Sequence, residues 1–205
     1  GDYFNGVINL GVTEPQLYAK SHLVPLGEFV PGEFKWILGT LRIPLSDFSA
    51  GSNPRPIRAA GERVAITVCY EDAFGEELIA QLPEAGLLAN LSNVAWFGDS
   101  LAPGQHLQIS RMRALETGRT MLRATNTGVT AIIDERGKVN ARLPLFSEGV
   151  LHASAQPHTG ITPYVRVGNR AVLAACVLSL LAALIFALWR RTTLGQDGRR
   201  PPERL

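Results

Sequence analysis

This 205-residue sequence predicts a layered α/β fold, with helices covering a sheet and one membrane-spanning helix after it. Three observations predict it. Apolar, β-branched runs alternate with helical stretches from Arg63 onward; a Glu-Arg-Gly-Lys turn joins two further apolar runs; and an uncharged segment of 19 residues, Ala171 to Trp189, stands near the C-terminus. A hydrophobic fraction of 46% with 19% charged residues fits a folded chain. The formal charge of +2 gives no electrostatic footprint for a nucleic-acid partner.

Taken in order, Gly6 to Val12 is a short apolar run of strand character. Leu23 to Phe34 carries Pro25, Gly27, Pro31 and Gly32 and reads as a shaped loop, as does Ser46 to Pro56. Arg63 to Val68, RVAITV, reads as a buried strand ending at Cys69. A helix follows from Phe74 to about Leu82 and stops at Pro83, whose ring and missing N–H oppose continuation. Gly86 to Leu91 is a second buried strand; it runs into the loop Ser92 to Ser100, and a longer helix is expected from Gly104 to Arg123. Val129 to Asp134 and Val139 to Leu143 flank the hairpin turn Glu135 to Lys138, and Gly149 to Ala155 is a candidate for one more strand. There is no internal repeat. In α/β folds functional groups collect at strand ends and in the loops after them. Cys69 and the Asn93 to Trp96 loop hold such places on successive strands.

The segment Ala171 to Trp189 spans roughly 28 Å at ~1.5 Å per residue, close to the ~30 Å hydrocarbon core of a bilayer. A surface helix of a soluble domain would show a polar face. This one is apolar all round, with Ser179 its only hydroxyl, and closes on Trp189-Arg190-Arg191. Arg166 and Arg170 precede it; Arg190, Arg191, Arg199, Arg200 and Arg204 follow, against the acids Asp197 and Glu203. The more basic flank stays in the cytoplasm. That predicts an exported domain over residues 1–165, a spanning helix over 166–190 and a cytoplasmic tail over 191–205. An exported domain needs a leader, yet Gly1 onward shows no initiator Met and no apolar leader, so an upstream export or membrane segment is expected.

Cys69 and Cys176 cannot pair if one is in the soluble portion and the other in the span. A free Cys is often a small buried hydrophobe. In VCYED, however, the thiol stands at a strand end with Glu71 and Asp72 directly after it. Those acids oppose a thiolate, so a nucleophilic Cys69 needs a base or a cation from elsewhere. Lys20 can supply the charge and can stabilise an oxyanion, although an isolated Lys is ordinarily a solvated surface group. A Cys–His pair through His22 or His106 stays open. The remaining histidines, His152 and His158, complete no metal-ligand spacing. There is no phosphate loop, no dinucleotide fingerprint and no GxSxG elbow.

Six blocks occur in order: YAKSHLVPLGEFVP, VCYED, LSNVAWFGDS, QHLQISRMRALETGR, RATNTGVTAIID and ITPYVRVGN. With the terminal apolar helix they resemble the C-terminal half of the apolipoprotein N-acyltransferases, a membrane branch of the nitrilase-like carbon-nitrogen hydrolases. The resemblance runs from about Tyr3 through the last span. It implies an αββα sandwich, present here as its C-terminal half, on the outer face of the bacterial inner membrane. By the same resemblance Cys69 is the nucleophile, Lys20 the catalytic lysine and Glu28 an acid supporting the site. Tyr70 and Glu71 complete the Cys-Tyr-Glu motif, and Asn93, Trp96 and Phe97 form an aromatic loop near an acyl-chain entrance. The catalytic glutamate base would lie upstream of Gly1. Val94 stands where the family loop usually has Asp.

The implied reaction is a two-step transfer. A phospholipid acylates Cys69, and the thioester then passes the acyl group to the α-amino group of the diacylglyceryl-modified N-terminal cysteine of an apolipoprotein. The resemblance implies neither metal nor organic cofactor. Two other readings use the same residues: a membrane-tethered amidase that passes the acyl group to water, and an inactive fragment serving as an anchor.

Overall fold

The computed structural model describes residues 2–11, 14–32 and 48–197. Val12, Glu33, Phe34, Ser46 and Asp47, at the edges of the expected first strand and two loops, lie outside the described residues, as do Arg199, Arg200 and Arg204 of the tail. The first strands are β1 (Gly6–Asn9), β2 (Gln16–Ala19), β3 (Ile57–Ala59) and β4 (Glu62–Val68). Helix α1 (Gly75–Ile79) leads to β5 (Leu87–Ser92), and α2 (Ala102–Thr117) leads to β6 (Thr120–Thr125). Strands β7 (Ala131–Ile133) and β8 (Val139–Arg142) precede α3 (Pro163–Val167) and α4 (Arg170–Asp197).

Six strands form one sheet in the order β3-β4-β5-β6-β7-β8, and β1 and β2 form a separate antiparallel pair. β4, β5 and β6 run parallel, with Val64 opposite Leu87 and Leu87 opposite Thr120. Parallel neighbours need crossovers, which the segments carrying α1 and α2 supply. The strand β4 shows why the layers form. Its side chains alternate with period two. Val64, Ile66 and Val68 join Tyr18, Ile57 and Leu87 in one apolar cluster; Ala65 joins Leu78, Leu88, Leu107 and Met121 in another. A strand buried on both faces must be apolar along its length, which is how RVAITV reads. Beyond the end of β3, the backbone of Ile66 is satisfied by a side chain. Gln81 Oε1 accepts its N–H at 3.0 Å, and Gln81 Nε2 donates to its carbonyl at 2.8 Å.

Three expectations are corrected. The helix expected through Arg123 ends at Thr117, where Gly118 turns left-handed at φ 63° and the N–H of Arg119 closes on the Ala114 carbonyl. Thr120–Thr125 is β6, paired on both sides by β5 and β7. Met121, Leu122 and Arg123 are good helix formers, so local propensity pointed the wrong way and the sheet overrode it. The helix expected over Phe74 to Leu82 shrinks to the short α1, Gly75–Ile79, and a 3-10 turn, Cys69–Ala73, precedes it. Gly149–Ala155 forms no strand. Both sides of β4, β5 and β6 are already paired there, and the chain that follows is pinned by Gln156 and His158, to Thr120 and Gly86.

The chain divides into two compact units, Gly1–Arg166 and Val167–Leu205. In the second, the stretch Arg170–Arg191 of α4, 22 residues, is long and apolar enough to cross a bilayer. At ~1.5 Å per residue it measures about 33 Å.

Candidate active site

Cys69 follows the last residue of β4 and adopts φ 55°, in the left-handed region that costs a residue with a Cβ on the order of 1 kcal/mol. The turn lifts the thiol off the strand axis. Sγ lies 4.0 Å from the carbonyl oxygen of Asn93, in the loop after β5. Two side chains hold the Cys69 carbonyl: Asn90 Nδ2 at 2.9 Å and His106 Nε2 at 3.2 Å.

Lys20 follows β2 and is fully buried. Its backbone is clamped on both sides, its N–H donating to Asn5 at 2.8 Å and its carbonyl accepting from Gly51 at 2.7 Å. A Cβ at Gly51 would run into the Ala19 carbonyl, so glycine permits this approach. Lys20 Nζ meets Glu28 Oε2 at 2.6 Å. Glu28 also accepts from the Val24 N–H at 2.8 Å and from Asn5 Nδ2 at 2.7 Å. Burial pushes the Glu28 carboxyl up, but these donors and the Lys20 charge outweigh it and hold the group below the usual range. Burial also pushes the Cys69 thiol up. Lys20 and the Tyr70 N–H pull it down, Glu28 and Asp72 add to the rise, and the net result is a thiol above its usual value.

Glu71 is fully engaged by five donors. Oε2 accepts from Val68 N–H at 2.7 Å and Tyr18 Oη at 3.0 Å; Oε1 accepts from Ser21 N–H at 2.7 Å, Ser21 Oγ at 3.1 Å and His22 N–H at 3.1 Å. One buried carboxylate thus ties the Lys20 segment to the Cys69 turn. Tyr70 meets Phe74 edge-to-face at 5.0 Å, and the ring of His22 stacks on Phe74 at 3.6 Å. Asn93 Oδ1 accepts from Ala95 N–H at 3.2 Å and from Asn126 Nδ2 at 2.6 Å. Asn126 Oδ1 in turn accepts from Val94 N–H at 3.0 Å. Val94 is fully buried, against the bare Cα of Gly128. Trp96 and Phe97 lie on the surface, 85% and 51% exposed.

The structure therefore brings Cys69, Lys20, Glu28 and Asn93 together, uses Glu71 as a tie between them, and leaves Trp96 and Phe97 facing solvent. Neither open Cys–His pairing forms. His22 Nδ1 faces Glu77 at 2.7 Å, and His106 reaches the carbonyl of Cys69, not its sulfur. A groove of about 520 Å³, lined by Gly104, Leu107, Val129, Arg142, Leu143 and Leu145 among others, contains none of the residues singled out from the sequence.

Sequence reading missed a buried polar network under the turn. Asp72 Oδ1 is 2.8 Å from His106 Nε2, and Asp72 Oδ2 accepts from Ser110 Oγ at 2.6 Å. Arg123 Nη1 donates to Ser110 Oγ at 2.7 Å and to Asn90 Oδ1 at 2.8 Å, and lies 3.5 Å from Asp72. Four of these residues, Asp72, His106, Ser110 and Arg123, sit in blocks that carry the resemblance, which was the available signal.

The carbon-nitrogen hydrolase family profile matches residues 1–162. The chain is 57% identical over 94% of its length to a protein of Nitrosomonas europaea named apolipoprotein N-acyltransferase, covering 39% of that protein. It is 52% identical over 89% of its length to one of the same name from Ralstonia nicotianae, covering 36% of it. The chain thus spans under two fifths of the length of these curated relatives. A solved structure of the amidase from Nesterenkonia sp. AN1 is 21% identical, with 78% of this chain and 57% of that one covered and a TM-score of 0.47. With the profile matched over nearly all of the α/β unit, and relatives this similar along nearly all of the sequence, the chain belongs to the carbon-nitrogen hydrolase family.

Proposed function

We propose that this chain carries the nucleophilic half of an apolipoprotein N-acyltransferase. One observation carries the reading: a buried Lys20–Glu28 ion pair beside a Cys69 turned out of its strand, in a chain 57% identical over 94% of its length to a relative of that name. Cys69 attacks the acyl ester of a phospholipid, and Lys20 stabilises the tetrahedral oxyanion. The C–O bond breaks, the lysophospholipid leaves, and a Cys69 thioester remains. The α-amino group of a diacylglyceryl-modified N-terminal cysteine then attacks the thioester, giving an amide and restoring the thiol.

A raised thiol needs a base. Glu28 is engaged by Lys20, Glu71 by five donors and Asp72 by His106 and Ser110. The reading assigns the base to the glutamate that the family resemblance puts upstream. Trp96 and Phe97, exposed beside Asn93, suit an acyl-chain entrance and favour transfer over hydrolysis. Residues 166–190 cross the bacterial inner membrane, with residues 1–165 in the periplasm and 191–205 in the cytoplasm.

Intact mass of the natural membrane protein incubated with phospholipid, before and after hydroxylamine, tests this reading. A hydroxylamine-labile gain of one fatty acyl group mapped to Cys69, absent in Cys69→Ala, is expected. An unmodified Cys69 in protein that still transfers acyl groups would overturn it.

A further inference from the structure

The buried network under the Cys69 turn has more order than packing requires. Cys69 holds a left-handed φ of 55°, and nothing in its own side chain favours that conformation. The Cys69 carbonyl, however, accepts from two buried side chains, Asn90 and His106. His106 Nε2 faces two acceptors, the Cys69 carbonyl at 3.2 Å and Asp72 Oδ1 at 2.8 Å, so this nitrogen carries a proton and donates to both. Asp72 is fully buried and sits three residues along the same turn as Cys69, so the imidazole bridges the two ends of the turn. Arg123, also buried, balances the Asp72 charge and orients Asn90, the second donor to Cys69. Each member fixes the next, and the chain of bonds ends on the peptide carrying the thiol.

We propose that His106, oriented by Asp72, is a positioning residue that locks the left-handed turn at Cys69 and so holds Sγ facing the Asn93 carbonyl. The role rests on the reading of Cys69 as the nucleophile, but its geometry is testable without any acyl substrate. Without the Nε2–H bond the turn relaxes toward ordinary φ, and Sγ moves off the Lys20 charge that draws the thiol down. The thiol then ionises at higher pH and reacts more slowly. A displacement of ~1 Å lowers reaction rates by up to roughly 100-fold where orientation matters.

The test is alkylation of Cys69 by iodoacetamide across pH in the intact natural protein in detergent, alongside formation of the acyl thioester from phospholipid. His106→Leu keeps the volume and removes the donor; His106→Gln keeps an N–H donor at similar reach. The expected result is alkylation about tenfold slower at neutral pH in His106→Leu, thioester formation slower by roughly 10–100-fold, and both restored to within a few-fold by His106→Gln. Alkylation in His106→Leu at or above the native rate overturns the proposal, since a merely loosened fold exposes the thiol and speeds its reaction. A His106→Gln variant as slow as His106→Leu also overturns it, assigning His106 to packing. If His106→Leu does not fold, His106→Asn, whose amide is too short to reach the Cys69 carbonyl, decides: slowed alkylation supports the orienting role, and the native rate sinks it. A native protein that takes no acyl group fails the proposed function alone, because the alkylation comparison stands without it.

Discussion

Asn126 Nδ2 donates to Asn93 Oδ1 at 2.6 Å, and this amide pair joins the loop after β5 to the loop after β6. The Asn93 carbonyl is the group facing the Cys69 sulfur, so the position of one loop is set by a side chain of another. Asn126→Ala should release that loop while leaving the sheet intact. We expect acyl-thioester formation to fall roughly tenfold with a melting temperature within a few degrees of the native one, measured by mass spectrometry and circular dichroism. Native rates in Asn126→Ala would show that the loop is held by other contacts.

Lys20→Met removes the buried ammonium and leaves Glu28 without its main partner. Thioester formation should drop by about 100–1,000-fold, the loss seen when a single oxyanion donor is removed. Because Lys20 draws the Cys69 thiol down, the same variant should shift the pH profile of iodoacetamide alkylation upward. An unshifted profile would mean that the charge does not act on the sulfur.

Two groups give opposite pH dependences of stability. The Glu28 carboxyl is lower in the folded chain, so the unfolded chain binds more protons at mildly acid pH; the stability it contributes is present above its usual value of 4.5 and is lost as pH falls through the folded value. Glu28→Gln should flatten that acid limb in urea titrations. The Cys69 thiol is higher in the folded chain, so stability declines as pH rises past its usual value of 9.0, and Cys69→Ala should remove that decline.

Tyr18→Phe deletes one of five donors to Glu71 and should cost about 1–1.5 kcal/mol by urea denaturation. Glu71→Gln strands several donors at once and should cost more, on the order of 3 kcal/mol. Equal losses would mean that the carboxylate is not the tie between these segments.

Gly128→Ala should drive a methyl group into Val94 and cost roughly 1–3 kcal/mol. The loss should shrink in the Val94→Ala background, a coupling that a double-mutant cycle measures directly.

The parts of this molecule that were legible in the sequence are those encoded by short-range pattern. RVAITV announced a strand buried on both faces, and the residue after it was the one turned out of line. Lys20 was legible only through the block that contains it, because burial and pairing with Glu28 depend on a loop closing over it. β6 was misread because its residues favour helix, and the glycine that ends α2 was the sole local sign of the change. The Asp72–His106–Ser110–Arg123 network was invisible for a different reason. Its members come from a turn, a helix and a strand, and no spacing along the chain encodes hydrogen bonds that exist only after those elements meet.

Glu71 has a consequence for how this protein would wear out. The lysine and the thiol follow strands of separate sheets, and besides the apolar cluster around Tyr18 the Glu71 carboxylate is a polar joint between their two segments. Heating that works this joint loose would spoil the alignment of two reactive groups while each sheet kept its own cooperative structure. Inactivation and denaturation would then be separate events, with the proposed activity lost some degrees before the spectrum reports any unfolding.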